Sequence, residues 1–230
     1  MCYSFTTSII SYVLGIISGI FALMTRQITL GVLILTYSQM QFAELLIWQG
    51  IDTQNDDLNR FGTSYGKYLL ATHNIAIGLG IILSIIISKK TLKIIDFIPL
   101  IAGISFFLYI LFIYYLPKQF PDITLPLDPT CIDNTNKCQN PNNRLKWPWP
   151  HDWYIFGYVI SVIILFFYIK PIESKILIGS VFTITFIATG IINPKVIGSV
   201  WCFIAAIISP LLVYANYLLT KDQPFSNILT

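Results

Sequence analysis

Charge is what this sequence has least of. Asp, Glu, Lys and Arg make up 11 % of its 230 residues, against about 25 % in an ordinary soluble domain. Hydrophobic residues make up 55 %. So few charges do not cover a water-facing surface, which excludes a soluble globular domain and points to an integral membrane protein whose main partner is the lipid bilayer. The net charge of +3 is spread over many loops without a basic block, so no nucleic-acid partner is indicated. Histidine occurs twice and cysteine four times. No HxxH, HExxH or CxxC occurs, which excludes the local zinc motifs. No Asn-x-Ser/Thr is present, so glycosylation offers no handle on topology.

What is abundant is continuous apolar sequence. Seven runs stand out: Thr6–Met24, Ile28–Gly50, Gly66–Ser88, Ile94–Leu116, Trp153–Ile169, Lys175–Ile192 and Val196–Leu219. Each is long enough to cross about 30 Å of hydrocarbon at 1.5 Å per residue. The runs do not alternate as barrel strands do. The first has no basic n-region and no clear small-residue cleavage site, so it is read as a retained helix. The expectation is all-α: one domain over residues 1–230, a polytopic bundle of seven transmembrane helices.

Orientation follows from the links. Arg26, then Lys89, Lys90 and Lys93, then Lys170 and Lys175, then Lys221 fall on one face. Asp52, Asp56, Asp57 and a loop at about 117–150 fall on the other. The positive-inside rule makes the N-terminus exoplasmic and the C-terminus cytosolic. Trp48, Trp147, Trp149, Trp153 and Trp201 gather near the outer face, as an interfacial belt would. The outer loop holds seven of the twelve prolines, which favours an extended path. Its Cys131 and Cys138 are a candidate disulfide, and the loop is a candidate surface for a partner protein. Small residues recur at steps of three and four in the first helix (Ser4, Ser8, Ser11, Gly15, Ser18, Ala22) and the last (Ser199, Cys202, Ala206, Ser209, Asn216). Such stripes let helices approach closely in lipid. Pro99 and Pro210 are expected to kink their helices.

Glu44 and His73 are the two residues in the runs most able to exchange protons, and membrane-embedded ionisable groups are rare and costly. Glu44 lies six residues inside the expected outer end of the second helix, and His73 lies seven inside that of the third. Cys202 lies six inside the last helix, and Cys2 stands at the start of the first. Counted this way, the four share one depth in the outer leaflet. Tyr37 and Gln41 share the Glu44 face, Thr72 and Asn74 flank His73, and Ser199 and Trp201 stand beside Cys202. Gln41, Asn74, Ser199 and Trp201 are therefore candidate ligand-binding residues. Three readings stay open. Cys2, Glu44, His73 and Cys202 bind a metal, most simply zinc, whose normal ligands they are. Alternatively the two cysteines form a disulfide and Glu44 pairs with His73. In the third, the polar groups only fix helix register.

MCYS, QFAELLIW, THN and GSVWC resemble marks of an uncharacterised multi-pass membrane family of large DNA viruses, algae and bacteria. That resemblance implies a topology and a polar cluster, with a host-cell or virion membrane as the location if the source is viral. It implies no reaction. A retinal pigment is excluded, because no lysine lies between Val196 and Leu219 to form a Schiff base. Four function classes remain: a membrane protein of unassigned activity with a polar or metal site in the outer leaflet; a metal- or thiol-assisted lipid hydrolase with Glu44 and His73 as acid–base candidates; a transporter or ligand-binding seven-helix protein; and a structural or assembly protein.

Overall fold

The computed structural model describes residues 4–117, 121–126, 145–148, 167–169, 171–192 and 197–222. Helix dominates. α1 spans Phe5–Met24, α2 Ile28–Asp52, α3 Asp56–Ile87, α4 Ile98–Ile110, α5 Ile172–Ile192 and α6 Ile197–Thr220. A 3-10 turn at Ile94–Phe97 leads into α4, and a π turn at Leu111–Tyr115 ends it. Five of these helical stretches are long and apolar enough to cross a membrane: Phe5–Met24, Ile28–Asp52, Asp56–Ile87, Ile94–Ile113 and Ile172–Ile191. Seven helices were expected, and six long ones occur among the described residues. The expected fifth, Trp153–Ile169, lies outside the described residues except for its last three.

Local chemistry sets the helix ends. The Ser4 side chain accepts from the Thr7 amide at 3.2 Å and caps α1. Asn55 caps α3 in the same way, accepting from Leu58 at 3.1 Å. Asp56 and Asp57 then add negative charge to the first turn, where the helix dipole favours it. α1, α2 and α3 each stop at a residue in the left-handed region: Arg26 (φ 64°), Gln54 (φ 54°) and Lys89 (φ 56°). After each, the next amide reaches back to the carbonyl five residues earlier, as Asn55 does to Gly50 at 2.8 Å. These are Schellman closures built without glycine. They fold α1, α2 and α3 into a tight antiparallel meander.

Helix α2 is the hub. It packs against α1, α3 and α6, and 17 of its 25 residues are buried. Small residues let the backbones meet. The expected α1 stripe is the buried face of that helix, from Ser8 to Ala22, with Ser4 as its cap. Gly15 lies on Ser38, and Gly19 faces Gly31. Gly62, Gly66 and Gly80 of α3 lie on α2, and Gly78 and Gly103 lock α3 against α4. Of the last-helix stripe, Ala206, Ser209 and Asn216 are buried. Pro99 does not kink α4. It occupies the first turn, where a missing N–H leaves no bond unmade. Pro210 lies inside α6.

The two ends of the bundle differ in charge. Gln27 Nε2 donates to the Val213 carbonyl at 3.1 Å, and Asn216 Nδ2 donates to Gln27 Oε1 at 2.6 Å. Those bonds place the α1–α2 turn, with Arg26, beside the last turns of α6 and Lys221. Thr29 and Ser84 hydroxyls meet at 2.8 Å, so Lys89 and Lys90 share that end. The opposite end carries Asp52, Asp56 and Asp57 and is covered by a strap. Its two pieces, 121–126 and 145–148, pair as a two-residue antiparallel ribbon, Leu125–Pro126 with Leu145–Lys146. Asn59 Nδ2 donates to the Thr124 carbonyl at 2.9 Å, and the Thr124 amide donates back to Asn59 Oδ1 at 3.0 Å. Arg60 meets Asp122 at 2.9 Å, and the Trp147 ring lies where a Cβ on Gly66 would be, 2.8 Å away.

Candidate functional site

One stripe of α2 carries the polar residues. Ile34, Tyr37, Gln41, Glu44 and Trp48 follow one another at steps of three and four, which places them on a single helix face. All five are buried. A helix at the centre of a bundle has no lipid-facing side, so the carboxylate is hidden by neighbouring helices. Glu44 and Gln41 are both 0 % exposed and His73 is 1 % exposed. Across the seam, the His73 and Tyr37 rings meet edge to face with centroids 4.4 Å apart.

Depth is where the sequence count and the structure differ. α3 begins at Asp56, ten residues before the expected boundary at Gly66. Gly66 faces Ala43, its Cβ position 3.4 Å from the Ala43 Cβ, while His73 faces Tyr37. Glu44 is therefore level with the start of the expected third helix. His73 sits about two turns, roughly 10 Å, further along the bundle. Side chains lean toward the N-terminus of their own helix. In an antiparallel pair, Glu44 thus leans toward His73 and His73 leans toward Glu44, with the level of Gln41 between them.

Gln41 is the anomaly. Neither its Oε1 nor its Nε2 has a hydrogen-bond partner among the described residues, and both are buried. The Trp48 Nε1 is in the same condition one step along the stripe. An orphaned buried donor or acceptor costs about 1–3 kcal/mol. Trp48 was expected in an interfacial belt, together with Trp147. Both are instead buried, at 3 % and 6 % exposed, because α3 overhangs the end of α2 and the strap covers it.

The stripe leads into a cleft. A narrow, partly open cleft of about 20 Å³ lies between α2, α5 and α6, lined by Ile34, Tyr37 and Ser38, by Phe182 and Thr185, and by Ala205, Ala206, Ser209 and Leu212 among others. Tyr37 belongs to both features: it faces the cleft and holds His73 behind it. Phe182 of α5 approaches Tyr37 at 6.5 Å between ring centroids.

The other expected site residues divide. Asn74 sits where α3 meets α4, its carbonyl 2.6 Å from the Cβ position of Gly103, a helix face away from the stripe. Thr72 donates back to the Leu69 carbonyl at 2.7 Å, within its own helix. Cys2, Cys131 and Cys138 lie outside the described residues, and so do the side chains of Ser199, Trp201 and Cys202. The expected disulfide and half of the expected metal set thus fall there. Among the described residues no group of three His, Cys, Asp or Glu side chains gathers as a metal site. Sequence reasoning did not find the Asn59–Thr63–Thr124 knot. Asn59 and Thr63 are one turn apart, a spacing that puts two hydrogen-bonding groups on one face, but their partner is 61 residues away from Thr63.

Comparison with models of known protein families, with curated proteins and with solved structures finds no match to this chain.

Proposed function

We propose that this chain is a seven-helix membrane protein that binds, or carries, a ligand inside the bundle, through the α2 polar stripe and the cleft beside it. The topology in this reading has the N-terminus exoplasmic and the basic end cytosolic. It is supported by Arg26, Lys89, Lys90 and Lys221 gathering at one end, against Asp52, Asp56 and Asp57 at the other.

The observation that carries the reading is the Gln41 amide, fully buried with both ends unpartnered among the described residues. A side chain kept only for packing gains nothing from an amide there; leucine fills similar space without the two orphaned atoms. An amide held ready for a ligand explains the arrangement, and the cleft lined by Tyr37 lies one turn away along the same stripe.

The test is Gln41→Leu in the full chain, reconstituted in lipid nanodiscs. Relief of the orphaned amide is worth about 2 kcal/mol, which raises Tm by roughly 4–8 °C in a chain of this size. Gain of stability with loss of ligand response is the mark of a functional polar group. A Tm that falls on this substitution would show that the amide supports the fold, and would sink the proposal.

A further inference from the structure

The strap and the polar stripe share one seam. On α3, Asn59, Thr63, Gly66, Leu70 and His73 follow one another at steps of three and four, which puts them on one helix face, and all five are buried. The strap occupies the first half of that face. Thr124 is bonded to both Asn59 and Thr63, and the Trp147 ring lies 2.8 Å from the Cβ position of Gly66. The face then continues through Leu70 to His73, whose ring meets Tyr37 of the α2 stripe. Gly66 is level with Glu44, since it packs on Ala43. Trp147 therefore closes the seam at the depth of the carboxylate.

The stripe behind that closure is short of partners. Trp48 Nε1 and both ends of the Gln41 amide have no hydrogen-bond partner among the described residues. Water satisfies such groups when it reaches them. The closed seam thus holds orphaned groups that a wetted seam would not. The fastening suits repeated opening. Asn59, Thr63 and Thr124 are joined by neutral hydrogen bonds, which water replaces at small net cost. Lifting Trp147 vacates the volume of an indole at the mouth, so water needs no space in the closed state. We infer that the strap is a water gate. Closed, it keeps the seam dry; open, it admits water, and the protons water carries, to Glu44 and Gln41, while Leu70 still stands before His73 on the α3 face. The gate goes beyond the ligand reading above and does not depend on a ligand.

The experiment uses the full chain in nanodiscs, with Gln41→Cys as the reporter and the water-soluble 2-aminoethyl methanethiosulfonate as the probe. Modification is read site by site by mass spectrometry, so the native cysteines stay in place. Position 41 is 0 % exposed, so a thiol there should react only when the strap is open. Adding Asn59→Leu should speed that reaction about 30- to 150-fold, the rise in open population expected from the lost knot bonds. Trp147→Ala clears the mouth while leaving the knot bonds in place, and should speed it as well. Ala206→Cys, on the wall of the α2–α5–α6 cleft, is the control and should keep its rate in both backgrounds. Thr63→Val replaces Asn59→Leu, and Leu70→Cys replaces Gln41→Cys, should either fail to fold. Equal acceleration at positions 41 and 206 would show a general loosening of the bundle and overturn the gate. A rate at position 41 that neither substitution changes would overturn it too. The ligand reading is tested by the Tm of Gln41→Leu, so the two fail separately.

Discussion

Replacing Asn59 by leucine should open the strap without unfolding the bundle. Asn59 makes three buried bonds in the knot: Nδ2 to the Thr124 carbonyl at 2.9 Å, and Oδ1 from the Thr124 amide and the Thr63 hydroxyl, each at 3.0 Å. The substitution leaves the Thr124 carbonyl without its donor. The Thr124 amide keeps Thr63 Oγ1 at 3.1 Å, and the two threonine hydroxyls keep each other at 2.8 Å. Three bonds at about 1 kcal/mol each, less what those survivors retain, leaves a loss of about 2–3 kcal/mol. Leu145 and Trp147 also hold the segment by packing into the core, and the substitution leaves them in place. The ribbon is two residues long, and isolated two-stranded ribbons are marginal in water. The Arg60–Asp122 pair is solvent-exposed and worth at most about 1 kcal/mol. At 1.4 kcal/mol per factor of ten, the open population of the strap should rise about 30- to 150-fold. Hydrogen exchange of the Thr124 amide, followed by mass spectrometry, reads that factor directly. Arg60→Ala is the control and should accelerate exchange by less than about fivefold. Unchanged exchange in Asn59→Leu, or an equal effect from Arg60→Ala, would refute the assignment of the knot as the anchor.

Four further outcomes are expected. Gly78→Ala places a methyl group on the Leu100 backbone; overpacking of up to about 3 kcal/mol, less about 1 kcal/mol of helix propensity, should lower Tm by roughly 4–8 °C, and an unchanged Tm would contradict the close α3–α4 contact. Asn216→Leu orphans Gln27 Oε1 while removing the buried Asn216 Oδ1 that lacks a partner among the described residues, and should destabilise by about 1 kcal/mol, the net worth of the lost bond, while the Gln27→Leu, Asn216→Leu double variant should recover most of that loss in a thermal double-mutant cycle. Gln54→Gly removes a left-handed side-chain residue from the α2 closure and should raise Tm by roughly 2–4 °C, from about 1 kcal/mol of relieved strain; a lower Tm would count against strain at that turn. Cysteine placed at Asp57 should react with an impermeant maleimide on intact cells, and cysteine at Lys89 only after permeabilisation; the reverse pattern would invert the topology.

The long apolar runs were legible because a helix able to cross hydrocarbon needs continuous apolar sequence. The expected bounds of the first, second, sixth and seventh runs agree with α1, α2, α5 and α6 to within three residues. The start of α3 was missed for a physical reason. Hydropathy reports the apolar part of a helix, whereas α3 begins ten polar-rich residues before that part. The signal was present as Asn-Asp-Asp at 55–57, a cap followed by two acids in the first turn. Reading it would have moved His73 two turns deeper than Glu44. The buried face of α1 was visible in its small residues, because close approach of backbones excludes larger ones. The role of α2 as hub was not visible. Its composition does not distinguish a helix surrounded by protein from one facing lipid, so Trp48 read as interfacial. Gln41 was picked out by its face, but that its amide lacks partners depends on which residues of other helices stop short of it.

The overhang of α3 has an electrical consequence. Thirty-two residues span about 48 Å, against about 30 Å of hydrocarbon. In the membrane placement proposed above, with Ile87 at the basic edge of the slab, its other edge would fall near Lys67, close to the level of Glu44. A transmembrane voltage drops across the hydrocarbon, and moving one charge through all of it is worth about 2.3 kcal/mol per 100 mV. A proton reaching Glu44 from the strap side crosses almost none of that drop. One reaching His73, about 9 Å further in, crosses roughly a third of it, or about 0.7 kcal/mol per 100 mV. In that placement the two residues would sit at different depths on the same potential gradient, and the step between them would carry about a third of the voltage.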